Sequence, residues 1–299
     1  MIAFIRRRPL TGLLLLAAPA VLVIAVFMVG PLGLMGLVSV LEKGVNGGVV
    51  WGRYSPEAYV NFLFERDLDE TLVLNTDYLQ IFWRSTWLSI MTTVLALLIG
   101  FPTALYMALQ PERRRNLLLF LVTIPFWTNL LVRNYSWILL LRTNGLVNDL
   151  LQWLDLTSGP VILMPSSFAV AVGLVYSFLP FMVLPIYASL EKLDFRLVEA
   201  AYDLGADRRR ALARVIIPLS MPGIIAGSVL VFIPCLGAFV TPELLGGGKS
   251  LMIGNLIQNQ FGSARNWPFG AALAFTLLGL VLVTMMIYLS RARGRAEAR

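Results

Sequence analysis

An all-α integral membrane protein with six transmembrane helices is the fold class this sequence predicts, and three observations predict it. Of the 299 residues, 58% are hydrophobic and only 14% charged, against about 25% charged in ordinary globular domains. Six apolar runs are each long enough for the ~20 residues that cross a hydrocarbon core. The charges gather in short clusters between those runs, so the net charge of +7 does not take the interleaved aromatic and basic form of a nucleic-acid surface, and no nucleic-acid partner is expected.

The runs are Pro9–Leu41, Arg84–Leu109, Asn116–Leu141, Leu163–Leu190, Met221–Val240 and Trp267–Leu289. The first follows Arg6, Arg7 and Arg8, and Ala17-Ala18-Pro19-Ala20 offers small residues. Its apolar stretch far exceeds the roughly 7–15 residues of a signal-peptide core, so an uncleaved helix is expected. Organisation follows: residues 1–81 form a first helix and outer loop, 82–288 a membrane domain, and 289–299 a basic tail.

Lys and Arg set the orientation. Sixteen of the 24 basic residues fall in one set of connections: Arg6–Arg8, Arg113–Arg115, Lys192, Arg196, Arg208–Arg210, Arg214 and Arg291, Arg293, Arg295 and Arg299 of the tail. The other set holds seven, namely Lys43, Arg53, Arg66, Arg84, Arg142, Lys249 and Arg265. The richer set is expected in the cytoplasm, with both termini. The loop from Glu42 to Trp83 is then outside. It carries Glu65, Asp67, Asp69, Glu70 and Asp77, as a solvated linker or as a docking surface for an extracytoplasmic partner.

Several chemistries are excluded. Cys235 is the only cysteine and histidine is absent, which removes intrachain disulfides, Ser-His triads and the commonest zinc sites. No catalytic residue, metal or cofactor is expected. Gly248-Lys249-Ser250 resembles the end of a phosphate-binding loop, but the first glycine of that motif is replaced by Glu243. Ion-coupled carriers usually hold carboxylates or histidines inside the membrane, and no span has one at its middle. Arg133 lies 17 residues after Asn116, ~25 Å along a helix, where snorkelling to the outer interface is expected. Gly223 and Gly227 permit close helix approach, within the chain or against a second subunit. Pro102, Pro125, Pro180, Pro185 and Pro234 are expected to kink their spans.

The polar island EAAYDLGADRRRALARVIIPLSMPG, Glu199–Gly223, lies between the fourth and fifth runs. Leu197, Ala201, Leu204, Leu212 and Val215 fall at helical spacing. Gly205 suits a helix C-terminus, and Asp207 is placed to cap a second helix. Pro218 and Pro222 are expected to end that helix and turn the chain into the fifth span. The Arg cluster favours anionic lipid.

Glu199-Ala200-Ala201, Gly205, Val215, Ile217 and Pro218 resemble the EAA loop of binding-protein-dependent ABC importer permeases, which reads E-A-A, three residues, G, nine residues, I-x-L-P. The chain from about Phe82 to Tyr288 resembles the type I importer permease domain. Runs such as Pro125-Phe126-Trp127-Thr128-Asn129 and Asn266-Trp267-Pro268-Phe269-Gly270 are similar to the first permease of polyamine importers. The resemblance implies a type I importer fold in a bacterial cytoplasmic membrane, with a cytoplasmic coupling helix. It also implies a second permease subunit, two cytoplasmic ATP-binding subunits and an extracytoplasmic binding protein. Ala200 and Ala201 would give a close-fitting face, Glu199 a charge and Gly205 the turn, with Asp203 and Arg208–Arg210 tuning docking to the ATPase. The chain would be a permease, not an enzyme.

The implied solute is spermidine, putrescine or another small cationic amine. An opine or amino-acid derivative is the alternative, with an ion-coupled carrier behind it. Trp127, Tyr176 and Glu243 are the candidates for the solute path, because polyamines are held by aromatic faces and carboxylates.

Overall fold

The computed structural model describes residues 9–66, 72–248 and 250–297. Arg6–Arg8, Asp67, Asp69, Glu70, Lys249 and Arg299 lie outside the described residues. The chain divides into two compact units, residues 77–256 and residues 1–76 with 257–299.

The first unit contains the long helix α1 (Pro9–Ile24), a π-helical turn at Ala25–Val29, and α2 (Gly30–Val38). Two antiparallel hairpins follow, β1 (Leu41–Lys43) with β2 (Val49–Tyr54) and β3 (Phe64–Arg66) with β4 (Leu72–Leu74), on either side of α3 (Glu57–Leu63). Neither hairpin is legible in the sequence, which offers a solvated linker or a docking surface here. Gly36 lets α2 close on the Phe275 ring, which an added Cβ would meet at 3.3 Å. At the tip of the first hairpin the Gly48 amide donates to the Arg265 carbonyl at 2.8 Å.

The second unit is a helical bundle. Its long elements are α4 (Thr76–Ala108), α5 (Glu112–Trp127), α6 (Leu130–Leu141) and, after the short amphipathic α7 (Leu146–Trp153), α8 (Ser167–Glu191). Then come α9 (Arg196–Asp203), α10 (Arg208–Ala211), a second π turn at Leu212–Ile216, α11 (Ile217–Leu236) and α12 (Val240–Gly246). Helix α13 (Ile253–Phe261) leads back to the first unit, whose last element is α14 (Trp267–Glu297).

Helix α8 is the hub. In its most apolar window 61% of the residues are buried, against 6% for the span Ala17–Val38. Met182, Val183, Ile186 and Leu190 pack with Ala104, Met107 and Val231 in one core. Helix α11 lies close against α8 because Gly223 and Gly227 have no side chains. A Cβ at Gly223 would meet the Pro185 carbonyl oxygen at 2.4 Å, and one at Gly227 the Met182 oxygen at 3.0 Å. This glycine pair therefore serves packing inside the chain.

Among the described residues five helices are long and apolar enough to span a bilayer, or six if a bent pair counts as one span. That pair corrects the third expected span. Asn116–Leu141 is not one helix, because α5 and the segment Leu130–Trp153 meet at 92°. Pro125 loosens the last turn of α5, Thr128 and Asn129 take extended backbone angles, and the Asn129 side chain accepts the Leu131 amide at 2.8 Å as the N-cap of α6.

Pro218 and Pro222 correct another expectation, for neither ends a helix. Arg208–Leu236 is one continuous apolar helix. Pro218 lacks an N–H and its ring would crowd the carbonyl four residues back. The π turn before it absorbs both problems, with the Ile217 amide reaching Leu212 O. The same device precedes Pro31, where the Gly30 amide reaches Ala25 O.

Candidate functional site

Two regions carry the candidate residues, the polar island between α8 and α11 and a cavity at the break between α5 and α6.

In the island, Asp194 Oδ1 accepts the Arg196 amide at 3.0 Å and opens α9. The helix closes in a Schellman turn. The Gly205 amide donates to Tyr202 O and the Ala206 amide to Ala201 O, each at 2.9 Å. Gly205 has φ +82°, a value costly for residues bearing a Cβ. Asp207 Oδ1 then accepts the Arg210 amide at 2.7 Å and caps α10, so both local expectations are met. Val198, Ala211 and Ile216 are buried in the core that holds Met107 and Leu190. The island is thus fixed to α4 and α8 rather than hanging free. Arg115 Nη1, at the start of α5, lies 3.4 Å from Glu191 Oε1 at the end of α8.

The opposite face of α9 is open. Glu199, Ala200 and Asp203 are exposed, Ala201 is half-buried, and Arg208 and Pro218 are exposed. Leu204 is 89% exposed and Leu197 50%. Apolar residues at positions 197, 200, 201 and 204 form a stripe along one side of α9. Leu204 is legible in the sequence only as part of a helical period; its exposure is seen only in the structure.

The cavity, of about 360 Å³, is walled by Phe126, Phe178, Phe181, Phe239, Arg133 and Ser177, among others. Arg133 is placed by the break in the helix and not by a straight run from Asn116. The 92° turn folds it back onto the end of α5. Its guanidinium donates to Pro125 O, to Thr128 O at 3.0 Å and to Thr128 Oγ1 at 3.3 Å, capping carbonyls at the negative end of the α5 dipole. It also sits 5.8 Å from the Tyr176 ring centre, and Tyr176 meets Trp137 edge to face at 5.6 Å.

The three path candidates are not brought together. Trp127, 83% exposed, is not in the cavity wall. Tyr176 stands behind Arg133. Glu243 is on the exposed side of α12, where its Oε2 accepts Asn255 Nδ2 at 2.9 Å. Asn255, fully buried, also donates to Phe239 O at 2.8 Å and accepts the Met252 amide at 3.2 Å. It holds the chain after the cavity wall in place, a role the sequence did not signal.

A bundle of apolar spans with a broken helix, an internal cavity and a rigid polar island has the build of a membrane transport subunit. The chain belongs to the family of binding-protein-dependent transport system inner membrane components, whose sequence profile matches residues 100–295. It is 43% identical over 236 residues to the spermidine/putrescine transport system permease protein PotB of Escherichia coli (strain K12), covering 79% of this chain and 86% of that one. With PotB of Haemophilus influenzae the identity is 45% over 218 residues, 73% of this chain and 76% of the relative. The inner membrane ABC transporter permease protein YdcU of E. coli (strain K12) is 33% identical over 72% of each chain. Among solved structures, a bacterial ABC transporter that imports the acidic polysaccharide alginate aligns with a TM-score of 0.67 at 18% identity, over 97% of both chains. That likeness carries the type I importer fold. The chain is a permease subunit of an ABC importer, an inner-membrane component and not itself the ATP-hydrolysing enzyme.

Proposed function

We propose that this permease imports a small cationic amine, spermidine or putrescine, across a bacterial cytoplasmic membrane by alternating access. The observation that carries the reading is the 43% identity to a spermidine/putrescine permease over 79% of the chain. In this reading both termini are cytoplasmic, a second permease completes the path, and two ATP-binding subunits bind the islands. An extracytoplasmic binding protein delivers the solute. Glu199, Ala200, Ala201, Asp203, Gly205, Arg208 and Pro218 form or shape the docking surface, to which the exposed Leu197 and Leu204 are added. Because Val198, Ala211 and Ile216 sit in the core with Met107 and Leu190, a pull on α9 reaches α4 and α8 directly. Trp127, Tyr176 and Glu243 are kept as path residues, with Tyr176 packed against Arg133 of the cavity wall.

The test is uptake of radiolabelled spermidine and putrescine into right-side-out vesicles that hold the complete importer, with and without internal ATP. ATP-dependent accumulation supports the reading. Lack of accumulation, with an opine or amino-acid derivative taken up instead, would replace the solute and keep the permease assignment.

A further inference from the structure

The cavity at the α5–α6 break has one ionisable side chain among its lining residues, and it is a cation. Every partner of the Arg133 guanidinium is formally neutral: the carbonyls of Pro125 and Thr128, the Thr128 hydroxyl and the Tyr176 ring. Among the described residues no carboxylate lies in the cavity wall or pairs with Arg133. The positive charge therefore stays in the wall. The rest of that wall pulls the other way. Phe126, Phe178 and Phe181 line it, and aromatic faces attract alkylammonium ions. Ser177 Oγ, in the same wall, is buried and makes no hydrogen bond, on a residue only 7% exposed. Without Arg133, the four phenylalanine rings of the wall, Phe239 included, and an unpartnered hydroxyl would make a trap for an organic cation.

We propose that Arg133 is a specificity-determining residue that keeps this cavity from retaining the cationic solute, making it a place of transit and not of storage. The proposal rests on the cationic-solute reading above. Conduction needs sites that admit a solute and still release it. One fixed charge ~6 Å from one ammonium group of the solute, in a medium of intermediate dielectric, weakens occupancy by roughly tenfold to a hundredfold. That opposes the attraction of the rings without closing the path.

The experiment uses the complete permease–ATPase complex in lipid nanodiscs, without binding protein or ATP. Equilibrium retention of radiolabelled putrescine is measured beside succinate, a dianion of similar length. Wild type should retain neither. Arg133→Gln should raise putrescine retention by roughly tenfold or more, and Arg133→Lys, which keeps the charge but loses the fork, should behave as wild type. Ser177→Asp offsets the charge without touching the α5 cap and should also raise retention, which decides the matter if the Gln variant fails to assemble. The proposal is overturned if neither Arg133→Gln nor Ser177→Asp gains putrescine, or if Arg133→Lys gains it equally. It is also overturned if wild type holds succinate and Arg133→Gln loses it. Failure of the polyamine reading shows elsewhere, as absence of polyamine uptake by wild-type vesicles. The comparison of retained cation between wild type and variants still decides the role of Arg133.

Discussion

Ser85 Oγ accepts the Ile253 backbone amide at 2.8 Å, across 168 positions of sequence. The same hydroxyl donates to Ile81 O at 2.7 Å, and Ser85 is fully buried. One side chain thus satisfies the first amide of α13 from the N-terminal third of α4. Ser85→Ala leaves that amide buried without a partner, at about 1–3 kcal/mol. The expected outcome is a lower thermal midpoint for the purified complex, with Ser85→Thr retaining most of the stability. An unchanged midpoint in the alanine variant would show that the amide finds another acceptor.

Gly205 owes its identity to backbone shape alone. Its φ is +82°, and nothing lies within 4 Å of where a Cβ would stand. Any loss on substitution therefore reports the turn and not a clash. Gly205→Val should cost roughly 1–3 kcal/mol locally, tilting α9 against α10 and abolishing solute-stimulated ATP hydrolysis while the subunit still inserts. Gly205→Asn, which tolerates left-handed backbone, should keep a substantial part of the activity. Equal loss in both variants would mean that the surface at 205 matters and the turn does not. Glu199→Lys, which changes charge and leaves the turn intact, should abolish coupling by a separate route.

The spans and the island were readable because their signals are local: apolar runs of bilayer length, a glycine at a helix end, an aspartate at a helix start. The break after Trp127 was harder to read because only two polar residues, Thr128 and Asn129, interrupt an otherwise apolar run. Pro125 was visible, but a proline in a span commonly gives only a kink. The decisive residue was Asn129, whose N-cap geometry exists only once the chain has turned. The partners of Arg133 were hidden for the same reason, since distance along a straight helix says nothing about a side chain folded back across a right-angle turn. The π turns were hidden because an inserted residue leaves no mark in hydrophobic periodicity. Prolines at positions 31 and 218 were the available clue. The role of Asn255 is wholly tertiary, built from partners at 239, 243 and 252.

Gly223 and Gly33 make a matched pair for testing helix packing. A Cβ at Gly223 would overlap the Pro185 carbonyl oxygen and Ser189, whereas nothing lies within 4 Å of one at Gly33. Gly223→Val should force α11 away from α8 and cost upwards of ~2 kcal/mol, seen as poor assembly and proteolytic sensitivity. Gly33→Val, an equal change in volume, should leave expression and uptake near wild type. Loss of assembly in the second variant alone would assign the tight interface to the wrong helix.

Pro218 offers the sharpest test of how the island is phased. The π turn at Leu212–Ile216 holds one residue more than an α-helix would, with the Ile217 amide bonded to Leu212 O. Replacing Pro218 with Ala restores an amide that can reach Arg214 O, so the segment is free to relax to α geometry. One residue of shift rotates everything before it by ~100° and moves it ~1.5 Å along the axis. The exposed face of α9, carrying Leu197 and Leu204, would then point away from its partner. Pro218→Ala is expected to stay folded and inserted, with coupling between ATP hydrolysis and uptake reduced several-fold. Deleting Ala213, an exposed residue of the π turn, in the Pro218→Ala background removes the extra residue and should restore the phase and much of the transport. If Pro218→Ala transports normally, the π turn is held by the packing of Ile216 and Ala211 in the core, and the proline merely tolerates it.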